Sequence, residues 1–95
     1  MLGSIYGDAS DLDRALTHYR EAIRYLEAAG NLYVAAQTRY NVAYDLANVG
    51  RLPDALDYAQ AALRNYSTFG DRAADRIQKT QQLIAQIEQA RRGKK

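Results

Sequence analysis

Residues 12–30, LDRALTHYREAIRYLEAAG, and residues 52–70, LPDALDYAQAALRNYSTFG, are two versions of one stretch set forty residues apart. Leu12 falls on Leu52, Ala15 on Ala55, Leu16 on Leu56, Ala22 on Ala62, Arg24 on Arg64 and Gly30 on Gly70. The register runs on in both directions, with Leu2 on Val42, Gly3 on Ala43, Ile23 on Leu63 and Asn31 on Asp71. A fixed period of this size marks stacked supersecondary units, each burying its apolar face against the next. Such arrays present extended surfaces to partners, so chemistry at a point site is the lesser expectation.

The units read as helices. Pro53 is the only proline, and Gly30, Gly50 and Gly70 punctuate stretches rich in Ala, Leu, Arg, Gln and Tyr. The first helix is expected over about Leu12–Ala29. Ser10, Asp11 and Asp13 sit at its start, where acceptors and negative charge suit free amides. Leu12, Ala15, Leu16, Tyr19, Ala22, Ile23 and Leu26 recur at three- and four-residue steps and define its apolar face. Asn31 caps a second helix, about Leu32–Val49. Gly50 closes it, and Pro53 belongs in the first turn of a third helix, about Pro53–Phe69. A fourth follows Gly70 and Asp71 and reaches about Ala90. Short connections make consecutive helices antiparallel neighbours. Residues 1–9 are too few for a full helix. Leu2, Ile5 and Tyr6 there match the second half of the second helix, so the chain opens midway through a unit.

Composition narrows the function. The 95 residues suffice for one small domain, and 47% hydrophobic content supplies a core. No apolar run approaches a membrane span, and the N-terminus lacks the pattern of a signal peptide. Cysteine is absent and His18 is the only histidine, which leaves no thiol chemistry, nucleophile triad or histidine-based metal site. Asp8, Asp11 and Asp13 lack the glycine of a calcium loop and read as helix-start residues. There is no glycine-rich phosphate loop. Catalytic, metal and cofactor sites are therefore not expected. The net charge is +2, but four of the 13 basic residues are Arg91, Arg92, Lys94 and Lys95, leaving nine against 11 acidic ones. The basic character belongs to a solvated tail, 91–95. The eight tyrosines fall at helical core spacing without an interleaved basic stripe, so nucleic-acid binding is not expected. Charges on the first and third helices read as solvated faces with i,i+3 and i,i+4 pairs.

At this level the chain resembles the tetratricopeptide repeat (TPR) family. Val42-Ala43, Leu46, Gly50, Ala55, Ala59 and Ala62-Leu63 occupy the offsets of that family's signature. Upstream, Leu2-Gly3, Tyr6, Ser10, Ala15, Tyr19 and Ala22-Ile23 do so again. The resemblance is to longer-helix variants, since the period is forty rather than about 34. Arg39 stands where the family often has Trp, with Tyr40 beside it, and Ser67 where it often has Pro. The fold this implies is all-α: a right-handed α-solenoid of antiparallel helix hairpins. It divides into a partial first repeat over 1–30, a full repeat over 31–70 and a C-terminal capping helix over 71–90. Gln82 and Gln86 replace the apolar Val42 and Leu46 of the preceding copy, as suits an array end. Ala73, Ile77, Leu83, Ile84 and Ile87 keep an apolar stripe for packing backward.

The resemblance also implies a function. Family arrays hold partner segments on a concave face, and carrying its offsets across selects Gln37, Tyr40, Asn41, Tyr44 and Asn48. These recur at three- or four-residue steps, so they share one face. Tyrosines give large contact area at low entropy cost, and amides can bond a partner backbone. The competing reading makes Tyr40 and Tyr44 packing residues. Tyr33 is a weaker candidate. The Lys and Asn pair with which some members clasp a C-terminal carboxylate is missing, because Tyr40 and Tyr44 take those offsets and only Asn41 fits. The expected function is thus a cytoplasmic, non-catalytic protein–protein interaction module, the C-terminal piece of a longer repeat protein. Its partner is a protein or peptide. Two alternatives stand beside it. One is a homo-oligomer built through the incomplete first unit, whose Leu2, Ile5, Leu12 and Leu16 would be underfilled. The other is a regulatory segment of a multidomain signalling protein.

Overall fold

Glycine places the turns. In the computed structural model, which describes residues 9–93, Gly30, Gly50 and Gly70 all have positive φ (78°, 85° and 59°). Side chains other than glycine rarely adopt that conformation. The first two turns close identically. Gly30 N–H donates to the Glu27 carbonyl and Asn31 N–H to the Leu26 carbonyl, at 3.0 and 2.8 Å. Gly50 N–H donates to Ala47 and Arg51 N–H to Leu46, at 3.1 and 2.9 Å. This pairing satisfies orphan carbonyls at a helix end and needs a left-handed residue at its centre.

Between the turns run α1 (Ala9–Ala28), α2 (Leu32–Asn48), α3 (Leu52–Ser67) and α4 (Ala74–Gly93), with no strand among the described residues. Asn31 caps α2, its side chain accepting from Val34 N–H at 3.3 Å, and Pro53 sits in the first turn of α3. A tight 3₁₀ turn, Gly70–Ala73, precedes α4, where the sequence suggests direct helical entry. No side chain caps this turn, so its free amides are tightened rather than capped. α4 also runs to Gly93 and takes in Arg91 and Arg92, which the sequence assigns to a tail. Their charge suits the negative end of the helix dipole. The expected turns around Leu2, Ile5, Tyr6 and Asp8 lie outside the described residues, as do Lys94 and Lys95.

α3 packs on both α2 and α4, α1 packs on α2, and α2 and α4 barely touch. Tyr33 meets Phe69 while Arg39 meets Asn65, so α2 and α3 are antiparallel. Alanine sets how close the helices come: Ala35, Ala36, Ala43, Ala55, Ala59, Ala62 and Ala73 are all fully buried. A larger residue at those crossings would force the axes apart. The main core gathers Leu12, Leu16, Val42, Leu46, Leu52, Leu83 and Ile87 around Ala43, Ala55 and Ala59. A second cluster joins Ala36, Ala62, Tyr66 and Ala73.

Two expectations for α1 are corrected. Leu12 and Leu16 are not underfilled but buried in the main core with Val42, Ala43 and Leu46. Ala22 is exposed, although its repeat counterpart Ala62 is wholly buried. Ala22 lies at the margin of the stripe that α1 turns toward α2, and burial there needs a neighbour on the other side.

Candidate functional site

α2 presents the five predicted residues across one arc of its surface, about 100° wide by helical geometry. Its opposite side is sealed: Ala35, Ala36, Val42, Ala43 and Leu46 are buried. The predicted residues differ among themselves. Asn41, Tyr44 and Asn48 are exposed, with Tyr44 51% exposed despite its large ring. Gln37 and Tyr40 are half-buried. Tyr40 leans on both apolar clusters and lines a small crevice toward α4 with Tyr66, Arg76, Lys79 and Thr80. One tyrosine of the pair is therefore mainly a packing residue, and the other stands in solvent. Tyr33 belongs to the fold, its ring edge-on to Tyr66 and Phe69 at 5.4 and 5.3 Å.

Because α2 and α4 make so little contact, the arc around Tyr44 is not closed over from the α4 side. The electrostatics are simple. The five residues carry no formal charge, and the α4 flank beside Tyr40 carries Arg76 and Lys79. Amide and phenol groups on such a face can exchange hydrogen bonds with a peptide backbone, while the ring of Tyr44 offers apolar area. Among the described residues, no group of three His, Cys, Asp or Glu side chains could hold a metal ion. His18 is exposed on α1.

Sequence reading missed Asp45. It lies at the edge of the arc next to Asn41 and Asn48, yet is 7% exposed, and its Oδ2 has no hydrogen-bond partner. Burial pushes its carboxyl above the ordinary carboxylate range. Its place in the last turn of α2, at the negative end of the dipole, is also unfavourable for a charged carboxylate. Only its break with the apolar pattern between Val42 and Leu46 hinted at it. The stability consequence has a definite sign. Folded Asp45 holds its proton more tightly than unfolded Asp45, so stability is greatest below the ordinary carboxylate value. It falls as pH rises from there through the raised folded value, and the penalty is complete above that window. Asp45→Asn should therefore melt a few degrees higher than the parent chain near neutral pH, with the gain vanishing in acid. Thermal unfolding followed by circular dichroism across pH checks this. A constant difference at every pH would mean that the carboxyl charge is not the cause.

A second polar feature lies across the helices. Arg39 reaches from α2 to Glu27 Oε2 on α1 and Asn65 Oδ1 on α3, both at 2.6 Å, with its side chain 16% exposed. Arg51 bonds Asp13 at 3.0 Å and Asp54 at 3.3 Å, both well exposed. The strongest ion contacts thus tie helices together rather than decorating single faces, as the sequence had suggested. Arg39 takes the offset where the resembled family often places Trp, and here a planar guanidinium does the bridging.

No protein-family model matches this chain, and no curated protein or solved structure matches it either.

Proposed function

We propose that the chain is a TPR-like interaction module, without a catalytic step of its own, that binds a partner segment along the exposed arc of α2. The forty-residue internal period, the paired glycine turns and the alanine-lined α2–α3 crossing support a stacked-hairpin reading. In it, α2 and α3 form one right-handed solenoid unit and α4 is its cap. Gln82 and Gln86 on α4 are exposed where Val42 and Leu46 are fully buried, as suits the last element of an array.

The observation that carries the binding reading is Tyr44. It is half exposed, more so than any other large apolar side chain of α2, of which Val34 comes next at 36%, and amides flank it at Asn41 and Asn48. A tyrosine in this setting is a natural anchor, since such residues dominate interface energies. Arg76 and Lys79 at the margin favour a segment that bears carboxylates. Tyr40 acts as the floor of the site rather than its contact residue.

Selection of a displayed random-peptide library against the chain, followed by titration of the selected peptides, tests this. Tyr44→Ala should weaken binding by about tenfold or more, the loss of an anchor worth about 1.4–2 kcal/mol. The melting temperature should stay close to that of the parent chain, because the ring packs little. Selected peptides that bind Tyr44→Ala as well as the parent chain would remove the arc as the site.

A further inference from the structure

We infer that the groove between α1 and α3 holds a binding site for a phosphate group, with Arg20, Arg24 and Tyr58 as its contacts. Asp13 on α1 meets Arg51 at the head of α3 at 3.0 Å, and Arg20 meets the Tyr58 hydroxyl at 3.3 Å, so the two helices run parallel. Their backbones stay apart, and long side chains reach across the gap. Along it lies a depression of about 240 Å³ lined by Arg20, Ile23, Arg24, Glu27, Arg39 and Tyr58. On α1, Glu27, Arg20 and Arg24 fall within an arc of about 60°. The Arg20–Tyr58 bond shows that this arc faces α3.

Charge selects the ligand. Three guanidiniums share the depression with one carboxylate, that of Glu27. Glu27 is bound to Arg39 at 2.6 Å, so that pair is neutral. Asp13 and Asp54, farther along the groove, are both bonded to Arg51. Arg20 has only the neutral Tyr58 hydroxyl, which accepts its Nε–H. Among the described residues, Arg24 forms no ion pair. Like charges four residues apart on one helix repel, and an anion between them removes that cost. A phosphate group carries a charge of about −1.5 to −2 near neutral pH, which matches the two open guanidiniums. Its oxygens also suit their planar, bidentate donors. The Tyr58 hydroxyl keeps its own proton to donate to a further oxygen. Buried Ile23 supplies an apolar wall. The volume falls below the roughly 300–1,000 Å³ of pockets for drug-sized ligands and suits a single phosphate group. None of these residues belongs to the α2 arc, so either proposal can fail alone.

Titration of the full chain with inorganic phosphate at fixed ionic strength, followed by NMR of backbone amides and arginine Nε–H groups, tests this. Saturable shifts should centre on Arg20, Arg24 and Tyr58, with a Kd of about 1 mM or tighter. Acetate, with a single charge, should bind clearly more weakly. Arg20→Gln and Arg24→Gln should each weaken phosphate binding about tenfold, the loss of one charge-assisted hydrogen bond. Both positions are exposed, so circular dichroism should show the helical fold retained. Arg91→Gln, near the end of α4 and outside the groove, should leave the affinity unchanged. O-phosphoserine titrated in parallel separates two sources, and either answer supports the site. Tighter binding than inorganic phosphate means that the group arrives on a larger molecule, and equal or weaker binding means the free ion. Shifts that never saturate overturn the proposal. So does acetate binding as well as phosphate, or Arg91→Gln weakening binding as much as Arg24→Gln.

Discussion

Tyr66→Ala should lower the stability of this chain by about 3–5 kcal/mol, the range for truncating a large aromatic side chain in a core. Tyr66 is 1% exposed, and among the described residues no other fully buried side chain is larger. It sits where α2, α3 and the start of α4 meet, with Ala36, Ala62 and Ala73 around it. Alanine neighbours cannot lengthen to fill a cavity, and their backbones already approach closely, so collapse around the void is limited. The edge-on contact with Tyr33 at 5.4 Å would be lost too, worth about 1 kcal/mol beyond area. Domains of this size are stable by only about 5–15 kcal/mol, so the variant should be largely unfolded at modest urea concentration. Burial also raises the phenol's pKa, which means the ring is held protonated and apolar. Tyr66→Phe should keep most of the stability, because it retains the volume. Urea titration of both variants decides the matter. A cost for Tyr66→Ala no larger than that for Tyr66→Phe would show that the second cluster is not a core.

Arg39→Ala should cost about 2–3 kcal/mol, the range for hydrogen bonds to charged groups and for partners left unpaired. Arg39 joins three helices through two short bonds, and its stem is mostly covered. Its loss leaves Asn65 part-buried without its donor. Glu27 is more exposed and can return to water, which holds the cost below that of breaking a fully buried ion pair. The effect should also be uneven. α1 packs chiefly on α2, so without the clamp its amides should exchange hydrogen faster while those of α3 and α4 stay protected. Exchange measured helix by helix, together with a double-mutant cycle against Glu27→Gln, separates the clamp from lost packing. Uniform loss of protection would show that Arg39 stabilises the fold without specifically holding α1.

Much of this fold was legible in the residues alone. The three glycines, Asn31 and Pro53 placed the helix ends to within a few residues, because turns and caps are set by the chain's own backbone. The alanine pattern at forty-residue spacing likewise announced close helix crossings, and the three- and four-residue steps put Asn41, Tyr44 and Asn48 on one face of α2. The same local logic could not tell Tyr40 from Tyr44. They lie four residues apart on one helix face, and only the position of α4 and Tyr66 half-covers the first and leaves the second in water. Nor could it tell Ala22 from Ala62, which are identical residues in identical register. Ala62 has α2 beside it, and no described helix covers Ala22. Asp45 was hidden for the same reason, as its burial comes from how neighbouring elements close over it. Periodicity is a property of one helix about its own axis and can be read along the chain. Burial is a relation between helices, and only their packing in three dimensions decides which face is a core and which is free to meet a partner.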